Sequence, residues 1–310
     1  MTSGRGVQLA GLLLAAALFA LTFTHPTLDL QRPTYRYVFV FDITQSMNVV
    51  DVPRDAPLLS RLDYAKDAVI ESLSALPCGT EAGVALFSGH RAFLLVTPIE
   101  ICANYSELST IVRRIDWRMT WKARSEVAKG LYKSMELLKQ LPATTRLVFL
   151  TDGHEAPPIN PELPPRYDGE PGDVAGLIIG VGGATPVPIP KFDDTGVQRG
   201  FWKADEVTHI DAFSAMQNAR EGITSTVQGT EHLSSLRETY LEGIAHATGL
   251  TYARLAAPAR LDRLMTRDQF SIDRVVTTDI RWMLALGALI VLAAALVRGS
   301  SGARRADTVA

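Results

Sequence analysis

Hydrophobic and polar positions follow two periods through the middle of the chain, and an uninterrupted apolar run stands near each end. Tyr35–Phe41 (YRYVFVF) is aromatic and β-branched nearly throughout and reads as a strand. Leu62, Ala65, Val69 and Leu73 fall on one face of a helix predicted over 60–76, where Ser60 and Asp63 resemble a capping box. Ala82–Phe87 and Arg91–Pro98 flank Ser88-Gly89-His90 as a hairpin. Helices are predicted over 105–115 and 125–141, and buried strands over 146–150 and 175–181. A helix over 231–248 ends at Gly249, and Leu250–Leu255 is a last strand. This alternation predicts an α/β fold with a doubly wound, mostly parallel sheet.

Two segments interrupt the alternation. Residues 157–171 carry prolines at 157, 158, 161, 164, 165 and 171, which excludes a helix there. Residues 186–203 read as an added β-hairpin turning at Asp193-Asp194-Thr195-Gly196.

The end runs are Val7–Phe23, 17 residues, and Trp282–Val297, 16 residues, both without a charge. They lie at the short limit for a membrane-spanning helix, and neither has the polar stripe of a buried core helix. Two transmembrane helices flanking the domain are therefore expected. The first run follows Arg5 and could be a signal peptide, but Phe23, Thr24 and His25 offer no small-x-small cleavage site, which favours an uncleaved anchor. The domain organisation expected is an anchor and linker over 1–30, the main domain over 31–258, a juxtamembrane linker over 259–280, and a C-terminal span with a short basic tail over 281–310. Arg298, Arg304 and Arg305 after the second run are matched by Arg263, Arg267, Arg274 and Arg281 before it, so arginine counting hardly orients the chain. Arg5 favours an inside start, which puts the main domain outside the cytoplasm.

A formal net charge of −2 is far from the basic balance of a nucleic-acid binder. The two cysteines exclude a Cys-rich zinc site. A hairpin centred at Gly89 pairs positions summing to about 178, and Cys78 with Cys102 comes close to that register. A disulfide is therefore geometrically allowed, with two buried free thiols as the alternative. A disulfide would speak for an oxidising compartment.

Candidate chemistry gathers at strand ends. The first strand runs into Asp42-Ile43-Thr44-Gln45-Ser46, a D-x-T-x-S pattern that points one carboxylate and two hydroxyls the same way. These are hard oxygen donors, suited to Mg²⁺ or Ca²⁺. The strand over 146–150 runs into Thr151-Asp152-Gly153, and in doubly wound sheets ligands bind where the strand order reverses. If the two strands are neighbours there, Asp42 and Asp152 approach each other and favour a cation between them. Ser125 reads as a helix N-cap, as a third hydroxyl ligand, or as both.

With these residues in order, the chain resembles the von Willebrand factor A family with its metal-ion-dependent adhesion site, over residues of about 35–256. The resemblance implies metal ligation by Asp42, Thr44, Ser46, Ser125 and Asp152, with Thr120 the competing choice for the loop ligand. It implies one divalent cation, Mg²⁺ or Ca²⁺, whose shell a protein partner completes with an Asp or Glu carboxylate. Trp117 and Trp121 could be exposed anchors for that partner or core residues. His154 and Glu155 are read as solvated loop residues, with support of the metal ligands as the alternative.

A von Willebrand A domain between two apolar runs resembles bacterial inner-membrane proteins of the aerotolerance type, as do Gly180-Val181-Gly182 and the Pro-rich stretch after it. The phrase Phe41–Asn48 (FDITQSMN) resembles more closely the accessory proteins of methanol oxidation, which implies assistance to maturation, or calcium insertion, of a periplasmic quinoprotein dehydrogenase. The aerotolerance likeness implies instead a stress complex of membrane von Willebrand A proteins, with an AAA-type ATPase if the domain faced the cytoplasm. No enzyme is expected: G-x-x-x-x-G-K-[ST], G-x-S-x-G and H-E-x-x-H are all absent, and Pro157 and Pro158 stop any helix after His154-Glu155.

Overall fold

All seven residues of Arg36–Asp42 (β1) are buried, as expected of a central strand covered on both faces. The computed structural model describes residues 2–52, 59–120, 124–160, 162–222, 229–256 and 261–306. These divide into two compact units, Pro33–Ile272 and a second made of the two chain ends, Met1–Arg32 with Asp273–Ala310.

In the first unit β1 is joined by Glu81–Ser88 (β2), Arg91–Glu100 (β3), Arg146–Thr151 (β4), Gly176–Gly180 (β5) and Thr251–Arg254 (β6). The sheet order is β3-β2-β1-β4-β5-β6. All neighbours are parallel except the β2–β3 hairpin at the edge. The order reverses between β1 and β4, which is the switch point of a doubly wound sheet.

Alternation along β1 splits the core into two layers. Tyr37, Phe39 and Phe41 pack on one face with helix Arg61–Ala75 (α1) and helix Tyr105–Arg114 (α2), whose buried residues join the same cluster. Val38 and Val40 face the other layer, built by Val127–Leu138 (α3) and, beyond the surface helix Ala212–Glu221 (α4), by Glu238–Thr248 (α5). The Ser60 hydroxyl caps α1 by accepting from the Asp63 N–H at 3.0 Å. Gly130 on α3 lies under the Phe87 ring, where a Cβ would sit 2.0 Å from a ring carbon, so only glycine lets helix and sheet close to this distance.

The added hairpin pairs Pro190–Phe192 with Gln198–Phe201 and turns at 193–197. Segment 231–237 is not helical as periodicity predicts. Leu233–Ser234 pairs with Val187–Pro188, and the N–H groups of Ile189 and Leu236 donate to His232 and Gly183 carbonyls, so cross-chain bonds hold the segment extended until α5 begins. Residues 261–272 are not a linker. Leu261, Met265 and Phe270 are buried in the first core layer, and the Tyr37 hydroxyl donates to the Met265 carbonyl.

In the second unit, helices Thr2–Leu21 and Arg281–Ala306 pack together, and the strand that begins at Thr27 pairs with the strand that ends at Asp279. Only Gly6–Thr24 is long and apolar enough to cross a membrane; Arg281–Val297 is a shorter apolar helix, so the expectation of two such spans is reduced to one among the described residues.

Cys78 and Cys102 form a disulfide with a Cα–Cα distance of 5.4 Å, and both are exposed rather than buried thiols. The β2–β3 register runs from Ser88↔Arg91 to Glu81↔Glu100 with two shifts between, which brings the cysteines opposite each other past the open end.

Candidate metal centre at the switch point

Phe41 pairs with Leu150 across the β1–β4 ladder, so the residues that follow each strand emerge side by side. Asp42 is fully buried. Its Oδ1 accepts from the Thr44 N–H at 2.9 Å and the Thr44 hydroxyl at 2.7 Å, and its Oδ2 accepts from the Thr151 hydroxyl at 2.6 Å. Thr44 Oγ1 lies 3.5 Å from Ser46 Oγ, which donates to Asp152 Oδ1 at 3.1 Å. The two carboxylates and two hydroxyls thus form one continuous chain of oxygens.

Ser125 lines the same cavity as Thr44 and Ser46 and is held there by bonds to two other loops. Its N–H and carbonyl bond Ala156 at 2.8 and 2.7 Å, while the carbonyl of Arg124 and the N–H of Glu126 bond Gly89. These bonds tie the β2–β3 turn to the loop after β4. They also place Ser125 ahead of α3, with Glu126 at the cap position, so the N-cap reading of Ser125 does not hold. The Ser125 residue is 3% exposed, and its hydroxyl has no hydrogen-bond partner. A buried hydroxyl without a partner is costly, and its position calls for one. Thr120 has its partner, the Ser88 hydroxyl, and does not line the cavity onto which Thr44, Ser46 and Ser125 open.

Asp152 is held by a group that sequence reasoning missed. Arg61, fully buried at the start of α1, donates from Nη1 to Asp152 Oδ2 at 2.5 Å and from Nε and Nη2 to Asp51 at 3.0 and 2.6 Å. Ser234 completes the cluster, accepting from Arg61 at 2.7 Å and donating to Asp152 Oδ2 at 2.9 Å. Room for the guanidinium comes from Gly182, at φ +128°, where a Cβ would fall 2.5 Å from Arg61 Nε. Nothing in the local pattern around Arg61 marks it, because its partners come from 10 to 173 positions away.

The electrostatics divide the two carboxylates. Burial, and then the charge of Asp152, push the Asp42 carboxyl well above the usual carboxylate range. Burial also acts on Asp152, but the Arg61 guanidinium and the hydrogen bonds from His154 and Ser46 outweigh it and hold this carboxyl below its ordinary value. One carboxylate therefore has a fixed counter-charge, whereas the other gains from a cation.

His154 is buried rather than solvated, and Glu155 is half-buried. His154 is 2% exposed, its Nδ1 lacks a partner, and burial lowers its pKa. Glu155 accepts from the Ala128 N–H at 2.9 Å and from the Tyr240 hydroxyl, and burial raises it to about 7. Trp117 packs on Phe192 of the added hairpin with ring centroids 5.2 Å apart, and Trp121 lies outside the described residues. Among the described residues of the Pro-rich stretch only its start, Pro157, lines the cavity; Pro164 and Pro165 lie over α3 and α5.

A doubly wound domain with hydroxyl and carboxylate groups gathered at its switch point defines a von Willebrand A type of architecture. Residues 37–154 match the family described as von Willebrand factor type A domain. It is 26% identical over 164 residues to a UPF0353 protein of Mycolicibacterium gilvum, and 28% identical over 170 residues to one from Mycobacterium sp. strain KMS, covering 49% and 51% of this chain. The chain spans about half the length of these curated relatives, 45% and 47%. Among solved structures it is similar to an aerotolerance-related membrane protein from Bacteroides fragilis, with a TM-score of 0.50 and 16% identity, covering 74% of this chain and 96% of that one, a likeness of fold.

Proposed function

We propose that this protein is a membrane-anchored, divalent-metal-dependent protein-binding module and not an enzyme. The observation that carries the reading is the unpaired, buried Ser125 hydroxyl, whose residue lines the same cavity as Thr44 and Ser46 of the oxygen chain that joins Asp42 to Asp152. The donor set fits a hard cation, Mg²⁺ or Ca²⁺. Asp42, Thr44, Ser46, Ser125 and Asp152 would hold it. A bound cation would supply a positive charge and an exchangeable position that a partner's Asp or Glu carboxylate can take.

The apolar helix Gly6–Thr24 supports membrane anchorage, and the Cys78–Cys102 disulfide supports a domain on the oxidising, periplasmic side of a bacterial inner membrane. Within that setting the favoured role is accessory to maturation, or calcium loading, of a periplasmic quinoprotein dehydrogenase. The alternative is a subunit of an aerotolerance-type stress complex of membrane von Willebrand A proteins. The fold likeness to the Bacteroides fragilis protein is compatible with that alternative.

The test is capture of partners from solubilised envelope by the full chain, with Mg²⁺ or Ca²⁺, with chelator, and as Asp42→Ala. Capture of a dehydrogenase or its maturation proteins only with metal and intact Asp42 is the expected result. Other membrane von Willebrand A proteins in that fraction would select the stress-complex role. Equal capture under all three conditions would remove the metal site as the binding surface, and phosphatase turnover lost in Asp42→Ala would overturn the non-enzymatic reading.

A further inference from the structure

The oxygen-lined site does not open onto a flat surface. Thr44, Ser46, Ser125 and His154 line a cavity of about 660 Å³. The rest of the lining comes largely from segments outside the six-stranded sheet: Ile189 and Trp202 of the added hairpin, Val207 and Ile210 after it, and Met216 of α4, with Arg124, Glu206 and Glu231 as its charged members. Trp202 is fixed by donating its indole N–H to Gln45 Oε1, and the Lys191 ammonium lies 4.6 Å from its ring centroid. Cavities of this size, mostly apolar with a few convergent polar groups, are the usual form of a ligand site. Two buried polar groups at this one have no partner, Ser125 Oγ and His154 Nδ1. A shell-completing carboxylate needs only the polar floor, so the apolar wall has a separate use.

We infer that the site takes a carboxylate joined to a bulky apolar group, its head on the Thr44–Ser46–Ser125 floor and its apolar body against Trp202, Ile210 and Met216. The inference rests on the metal-dependent reading above and gives the ligand a chemistry. An acidic side chain beside a large apolar residue in a partner protein presents that chemistry, and so does a free medium-chain acid. The wall belongs to segments outside the sheet, so it sets selectivity, while the floor belongs to the strand ends and sets metal dependence.

The test uses the full chain in lipid nanodiscs with Mg²⁺, read by tryptophan emission. The probes are acetate, octanoate, octanol, and the blocked tripeptides Phe-Asp-Phe and Gly-Asp-Gly. Octanoate is expected to bind at least tenfold tighter than acetate and than octanol, and Phe-Asp-Phe at least tenfold tighter than Gly-Asp-Gly. A tighter peptide assigns the ligand to a partner protein; a tighter octanoate assigns it to a free acid. Met216→Gln, on a side chain 61% exposed and so removed from the folding core, is expected to weaken octanoate binding at least fivefold and acetate binding by less, so that the preference for octanoate falls. It also separates binding from partition into lipid. Acetate equal to octanoate, or octanol equal to octanoate, would overturn the inference. Mg²⁺ binding with no apolar preference would sink it and leave the metal reading intact. Octanoate binding indifferent to chelator would sink the metal reading and leave the apolar carboxylate site on Ser125 and His154.

Discussion

Ser125 is the residue on which metal and stability effects separate. A buried hydroxyl with no partner forfeits about 1–3 kcal/mol of desolvation without return. Ser125→Ala is therefore expected to leave the melting temperature of the metal-free protein unchanged or raised, while the stabilisation by added Mg²⁺ or Ca²⁺ falls at least tenfold in apparent affinity, as calorimetry would record. Glu155 gives a pH signature of its own. Its folded pKa is about 7 against an ordinary 4.5, so between these values the folded protein holds a proton that the unfolded chain has released. Stability should fall as pH rises through that window, by up to about 3 kcal/mol, and level off above it. Glu155→Gln keeps the acceptor for Ala128 and Tyr240 and should flatten the slope by that amount in denaturant titrations at pH 5 and 8. Asp42 slopes the same way, so the comparison of the two proteins isolates Glu155.

At the scale of elements, the strand ends and α3 are brought together by close packing as much as by hydrogen bonds. Gly130 is the contact point of α3 with Phe87 on β2. Gly130→Ala should cost about 1–3 kcal/mol by overpacking, in spite of the better helix propensity of alanine, and should shift the Ser125 segment that precedes α3. Equal or higher stability of that variant in urea titration would show that the Phe87 ring has room to move. Most elements are legible from periodicity: β1, α1 with its Ser60 cap, the β2–β3 hairpin, and the strands ending at Thr151 and Gly180. Segment 231–237 is not, because its pattern continues the α5 period while its backbone is held extended by Val187, Ile189 and Gly183. Long-range ladder bonds override a local helical preference there.

For the whole molecule, the disulfide links the sequence to a compartment. Cys78 and Cys102 are 24 positions apart, and a pairing in this exposed place persists only where thiols are not kept reduced. Intact mass analysis of protein taken from native membranes under alkylating conditions should find no free thiol. Two alkylated cysteines would place the domain on the reducing side and remove the periplasmic reading. The candidate site has the same whole-molecule character: Asp42 and Asp152 meet only because β1 and β4 are neighbours at the point where strand order reverses.

What the sequence determined by itself was local. Hydrophobic period set the strands and helices, the D-x-T-x-S and Thr-Asp-Gly phrases marked oxygen donors at strand ends, and the hairpin register brought the two cysteines within reach. Tertiary structure decided everything that depends on distant partners. It gave Thr120 a hydroxyl partner and left Ser125 without one, and it buried His154, which the local pattern places in a solvated loop. It folded residues 261–272 into the core rather than a linker. It also set Arg61 between Asp51 and Asp152, where a buried guanidinium is tolerated only because three separate chain segments supply its acceptors. Such groupings depend on three-dimensional proximity, and neither spacing nor period along the chain encodes it.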